Sequence, residues 1–179
     1  MLSISGATYS LCAEYVEDMI VVVIADPTGV APAEVHVSFD EGYSFAPVDS
    51  SVNLYNARTC VTNTGIVVAV DSSSGATGVG VRQIAPGGGL GDEILMGATS
   101  HADAPTCVVC RDDGTLFAFV WNYDTATTLN MRCFVSTDGG STWVSPTTSQ
   151  DIMNFGPTLA GGGYTSLSAG VWNGKIVVL

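Results

Sequence analysis

The feature that most restricts how this chain can fold is that it resembles itself. At an offset of 98 positions, Glu34 to Phe45 and Arg132 to Trp143 share Ser38 with Ser136, Asp40 with Asp138, Gly42 with Gly140, and an aromatic ring at Phe45 and Trp143. A second regularity runs through the apolar stretches. Ile/Leu-led runs begin at Ile20, Ile66, Leu116 and Ile176, spaced by 46, 50 and 60, so that 98 spans about two units. Periods of this length mark tandem supersecondary units that stack to bury a shared core.

The units read as strands. Runs such as Ile20-Val21-Val22-Val23-Ile24 and Ile66-Val67-Val68-Ala69-Val70 are short and β-branched, and with 21 Gly and only 12% charged residues there is little material for solvated helix faces. Four strands are expected near 9–16, 19–25, 33–39 and 43–48, four near 57–62, 65–70, 78–84 and 93–98, and four near 105–110, 115–121, 130–136 and 142–147, with two more in 164–179. The chain of 179 residues thus forms a single all-β domain, 1–179, with units of about 9–48, 57–98, 105–147 and 164–179. Four antiparallel strands per unit at this period is the pattern of a β-propeller blade, here about three and a half of them. A sandwich with fortuitous self-similarity is the competing architecture.

Ser136-Thr137-Asp138-Gly139-Gly140-Ser141-Thr142-Trp143 resembles the Asp box, or BNR repeat, Ser-x-Asp-x-Gly-x-x-Trp, of sialidase-like β-propellers. The copy at Ser38, Asp40 and Gly42 has Phe45 in place of Trp, and the second unit has no copy, with Gly87-Gly88-Gly89-Leu90-Gly91 in that neighbourhood. A short carboxylate accepts backbone N–H groups of its own turn, and the box glycine accepts a positive φ. The resemblance implies that these boxes lie between third and fourth strands, away from the substrate, so Asp40 and Asp138 are assigned structural roles. Trp143 is expected to be buried between sheets, where truncation to alanine costs about 3–5 kcal/mol.

The resemblance also implies what a sialidase would need: three arginines on the substrate carboxylate, a Tyr/Glu nucleophile pair, an Asp acid and an Arg-Ile-Pro element. This chain has four arginines, Arg58, Arg82, Arg111 and Arg132, and no Arg-Ile-Pro. His36 and His101 are the only imidazoles, and neither Gly-x-Ser-x-Gly nor His-Glu-x-x-His occurs. Cys107 and Cys110 have knuckle spacing, but a strand sends them to opposite faces. No catalytic residue, metal or cofactor is therefore nominated. The starts of the innermost strands, where a propeller presents ligands, nominate Tyr55, Arg58, His101, Asp103 and Tyr164 as a candidate ligand surface; solvated loop positions are the alternative.

A net charge of −12 excludes nucleic acid as a natural partner, since phosphate affinity comes from Lys and Arg. No apolar run reaches the ~20 residues of a membrane helix, and Glu14, Glu17 and Asp18 precede the run at 19–25 where a secretion signal would be positive. Five cysteines, an odd number, read as free thiols from a reducing compartment. The last sheet is unfinished, so the ring is expected to close through other chains, through Leu2-Ser3-Ile4-Ser5, or through sequence beyond this chain. Together these point to a noncatalytic module for attachment or assembly in a bacteriophage virion, a tail or fibre component made in host cytoplasm. Its expected partners are other chains of the assembly and a glycan. A fragment of a sialidase-like glycoside hydrolase and a protein-binding scaffold are the alternatives.

Overall fold

The computed structural model describes residues 10–25, 33–52, 57–73, 78–98, 106–125, 128–145, 153–154 and 167–179. The segment Leu2-Ser3-Ile4-Ser5 lies outside them. Every regular element among them is a strand, and no helix there is long and apolar enough to cross a membrane. The first sheet is a meander of β1 (Ser10–Val16), β2 (Met19–Ala25), β3 (Ala33–Ser38) and β4 (Ala46–Val52). The second repeats it with β5 (Arg58–Val61), β6 (Val67–Ser73), β7 (Gly78–Ile84) and β8 (Ile94–Ala98). The third runs β9 (Thr106–Cys110), β10 (Leu116–Thr125), β11 (Thr128–Ser136) and β12 (Met153–Asn154), and a two-stranded fourth holds β13 (Ala169–Trp172) and β14 (Lys175–Val178). All pairs are antiparallel, as short hairpin connections require.

The sheets stack face to face in chain order. Val21, Val23, Val35 and Val37 of the first meet Val67 and Ile84 of the second. From its other face, the second sends Val68, Val70, Val79 and Val81 against Leu116, Ala118, Val120 and Phe134 of the third. The third then presents Cys107, Val109, Phe119, Met131 and Cys133 to Val171, Ile176 and Val178 of the fourth. Because both faces of the middle sheets are covered, their strands are continuous apolar runs rather than an alternation of apolar and polar. The first strands of successive sheets are neighbours, with β5 packed on β1 and β9, and β9 on β13.

One strand departs from expectation. Of the strand expected at 142–147, the described residues 142–145 form none: Val144 makes a single bridge to Val135, and β12 pairs with Asn130 and Met131 on the outer side of β11. The turn occupies the chain through Trp143, and Pro146 has no N–H to give to a continuing ladder. In the first sheet, likewise, β4 begins at Ala46 and not 43, because residues as far as Ser44 are bound into the turn.

Candidate functional site

The two Ser-x-Asp-x-Gly turns each close the end of a third strand, and the bonds of their Ser hydroxyls and Asp carboxylates correspond one to one. Ser136 Oγ–H donates to Asp138 Oδ1 at 2.8 Å and accepts the Gly140 N–H at 2.9 Å. Asp138 in turn accepts the Thr142 N–H at Oδ1 (2.9 Å) and the Thr142 hydroxyl at Oδ2 (2.6 Å). In the first sheet Ser38 reaches Asp40 at 2.7 Å and receives Gly42 N–H at 2.9 Å, while Ser44 supplies N–H and hydroxyl at 2.8 and 2.5 Å. Both carboxylates are exposed, so hydrogen bonding and not burial sets their acidity. The Thr142 hydroxyl, then its N–H and Ser136, hold Asp138 at about 2, and the Ser44 hydroxyl does the same for Asp40.

Both values lie below the ~3.9 of an unfolded aspartate, so each carboxylate contributes stability above about pH 4 that is lost as pH falls towards 2. Asp138→Asn is therefore expected to lower the thermal midpoint at neutral pH. The gap to wild type should close as pH falls from about 4 to about 2. Melting curves across that range test it, and a gap independent of pH would contradict the bonding described.

The second sheet reverses at the corresponding place by a shorter turn without the motif. Counting from the end of the third strand, Ile84, Pro86 and Gly88 stand where Ser136, Asp138 and Gly140 stand. Backbone groups do the closing: Gly88 N–H donates to Ala85 O (2.9 Å), Ala85 N–H to Gly89 O (2.9 Å) and Gly91 N–H to Gln83 O (2.8 Å). The common element is a glycine four residues past the strand end with φ of +88, +83 and +94 at Gly42, Gly88 and Gly140. That spacing was the available sequence signal, masked by the loss of Ser and Asp.

Of the candidate ligand surface, Arg58 opens β5, with Nη1 donating to Ala57 O at 2.9 Å. Tyr55, His101, Asp103 and Tyr164 lie outside the described residues. Beside Arg58 is a pair that sequence reasoning did not find: the Thr59 hydroxyl donates to Glu14 Oε1 at 2.9 Å, linking the first strands of two sheets. Burial pushes the Glu14 carboxyl up, the Thr59 bond opposing it in part. Cys12 Sγ donates to Ala57 O at 3.3 Å in the same seam.

No family model matches the sequence, and no curated protein does. Solved structures do match in shape. An α-L-arabinofuranosidase from Clostridium thermocellum superimposes with a TM-score of 0.63 at 10% identity, over 94% of this chain and 59% of its own. Trypanosoma rangeli sialidase gives 0.60 at 13% identity, over 96% and 34%. A xylan β-1,4-xylosidase from Bacillus halodurans gives 0.55 at 12%, over 97% and 37%. These are β-propeller glycoside hydrolases. The chain is a partial β-propeller. It spans 59% of the first of these enzymes and about a third of the other two.

In a propeller each sheet is a blade, and strand direction sorts its residues between two ends. The β1–β2, β5–β6, β7–β8 and β9–β10 turns share one end with both Asp-containing turns, whereas Arg58 begins an innermost strand at the opposite end. Arg111 sits in the β9–β10 turn, bound to Asp113, and Arg82 donates to Gly91 O at 3.2 Å below the β7–β8 turn. Arg132 lies midway along β11, opposite Val120. Arg82, paired with Ala69 opposite Thr59, is one register position from Arg58 but on the third strand of the blade and not the first, so the four arginines are spread over different strands and levels.

Cys107 packs towards the fourth blade and Cys110 towards the second, on opposite faces of β9. All five thiols are free, and burial raises each of them, Cys107 to about 12 and Cys133 to about 11. They are protonated packing groups at neutral pH.

Trp143 departs from its expected depth. It packs against the core between the second and third blades but is only partly buried, its Nε1–H donating to Gly140 O at 2.9 Å. Trp143→Ala is accordingly expected to cost about 2 kcal/mol, below the range for a fully buried ring. Urea unfolding measures this, and a loss above about 4 kcal/mol would contradict the partial burial.

Proposed function

We propose that this chain is a noncatalytic propeller module for attachment or assembly, recognising glycan at the end where its innermost strands begin and working beside other protein chains. A bacteriophage tail or fibre, assembled in host cytoplasm, is the setting we assign. The observation that carries the noncatalytic part is the separate engagement of the arginines. Arg111 is tied to Asp113 in the β9–β10 turn, Arg82 on a third strand to Gly91 O, and Arg58 on an innermost strand to Ala57 O, so each is engaged within its own blade, which argues against a three-arginine clamp made by these side chains. Asp40 and Asp138, the paired carboxyls of the repeat, are tied into their own turns and are poor proton donors. Membership of the Asp-box sialidase-like family is part of the same proposal, supported by the two matching turns and by the shape shared with a sialidase.

Glycan-array binding of the intact natural product tests this, together with fluorogenic sialoside, arabinofuranoside and xyloside substrates. Binding without turnover is expected. Turnover would favour a second reading, that the chain is part of a glycoside hydrolase. Two observations favour that reading: the enzymes it resembles in shape, and Glu14, whose raised pKa is a property a general acid needs. Neither binding nor turnover would favour a protein-binding scaffold.

A further inference from the structure

The turn end of the first and third blades holds the same chemical parts, with one missing. In the third blade the β9–β10 turn carries Arg111, whose Nε donates to Asp113 Oδ1 at 3.0 Å with a second bond from Nη2 to Oδ2. The same guanidinium lies 5.7 Å from the centroid of the Phe117 ring. In the first blade the equivalent β1–β2 turn supplies two carboxylates, Glu17 and Asp18, both exposed and neither paired with any described residue. The ring is supplied by Phe39, 55% exposed. The cation is absent among the described residues, where no Lys or Arg lines the groove of about 200 Å³ that these residues form with Met19, Gly65 and Pro86 between the first and second blades. The Glu17 carboxylate reaches across this groove, with Oε1 3.4 Å from where a Cβ on Gly65 would stand.

We propose that this groove docks an arginine side chain carried on an extended segment of a partner protein. Its volume is below the ~300 Å³ at which pockets begin to take whole small molecules, which suits one long side chain. The apolar lining of Met19 and Pro86 matches a methylene stem. Two carboxylates and an aromatic face match a planar guanidinium better than a compact ammonium. Arg111, bonded to Asp113 and 5.7 Å from the Phe117 ring centroid, shows a carboxylate and a ring holding a guanidinium within the same molecule. Glycan recognition is assigned to the opposite end of the blades, so the two proposals stand or fall separately.

The probe is acetyl-Gly-Arg-Gly-amide, titrated into the full chain labelled with nitrogen-15, with the citrulline and lysine tripeptides as comparisons. Shift changes are expected to centre on Val16 to Met19, Phe39, Gly65 and Gly87. The neutral citrulline peptide and the Glu17→Gln/Asp18→Asn variant should each weaken binding about ten-fold or more, with the lysine peptide weaker than the arginine one. Both substituted side chains are exposed turn positions, and the variant's own spectrum reports whether it is folded. Changes scattered over the acidic surface and unaltered in the variant would overturn the proposal, as would equal binding of the citrulline or lysine peptide.

Discussion

Leu116→Ala is expected to destabilise the protein by about 3–5 kcal/mol, in the upper part of the range for a buried leucine. Leu116 is 0% exposed and opens β10 at the level of Cys110 and Ser136 on its two neighbours. It fills the seam between the second and third blades with Val68, Val70, Val79 and Val81. Those neighbours are β-branched and stiff at χ1, so they cannot swing into the space a truncated side chain leaves. On the turn side the space is bounded by Gly140, which has no side chain to move, with Leu116 Cδ1 3.4 Å from where its Cβ would stand. The cavity therefore stays open, and its cost adds to the lost transfer energy. Chemical denaturation checks the figure, and a loss below about 1 kcal/mol would mean that the seam is loose enough to collapse around the truncated residue.

The strand content of the blades was legible because both faces of the middle sheets are covered, which leaves β-branched runs separated by turn residues. The first and third turns were legible because a side chain closes them. Ser and Asp leave a mark in the sequence that backbone closure does not, so the second turn, with Ile84 and Pro86 at the corresponding positions and Gly88 closing on Ala85, could be placed between its strands but not matched to the other two. The outer strand of the third blade was misplaced for a related reason: the apolar look of Trp143 and Val144 belongs to a turn folding back on the blade. The Glu14–Thr59 pair joins residues 45 positions apart on different blades. Nothing local announces such a contact, since it depends on how two first strands pack. Glu17 and Asp18 line a groove with Phe39 and Pro86, which come from other turns, so no local pattern in the sequence marks it.

Gly140→Val is expected to cost about 2–5 kcal/mol, adding backbone strain of about 1–2 kcal/mol to overpacking of about 1–3 kcal/mol. Its φ of +94 is open to glycine and resisted by a β-branched residue. Its Cβ would also stand 3.3 Å from Gln83 Nε2 and 3.4 Å from Val68 Cγ2, both on the second blade, so the added methyls press on the seam that Leu116 fills. The strain would not stay local. Gln83 Nε2 donates to Gly139 O at 2.8 Å, Gly140 N–H donates to Ser136, and Gly140 O accepts Trp143, so a shifted residue 140 loosens the turn and the contact between blades together. Gly139→Ala separates the two contributions. Gly139 also has a positive φ, +69, but nothing lies within 4 Å of its would-be Cβ, so that variant should show the backbone cost alone, about 1 kcal/mol. Equal losses at the two positions in urea unfolding would remove packing from the explanation. A larger loss at 140 is what the closed seam requires.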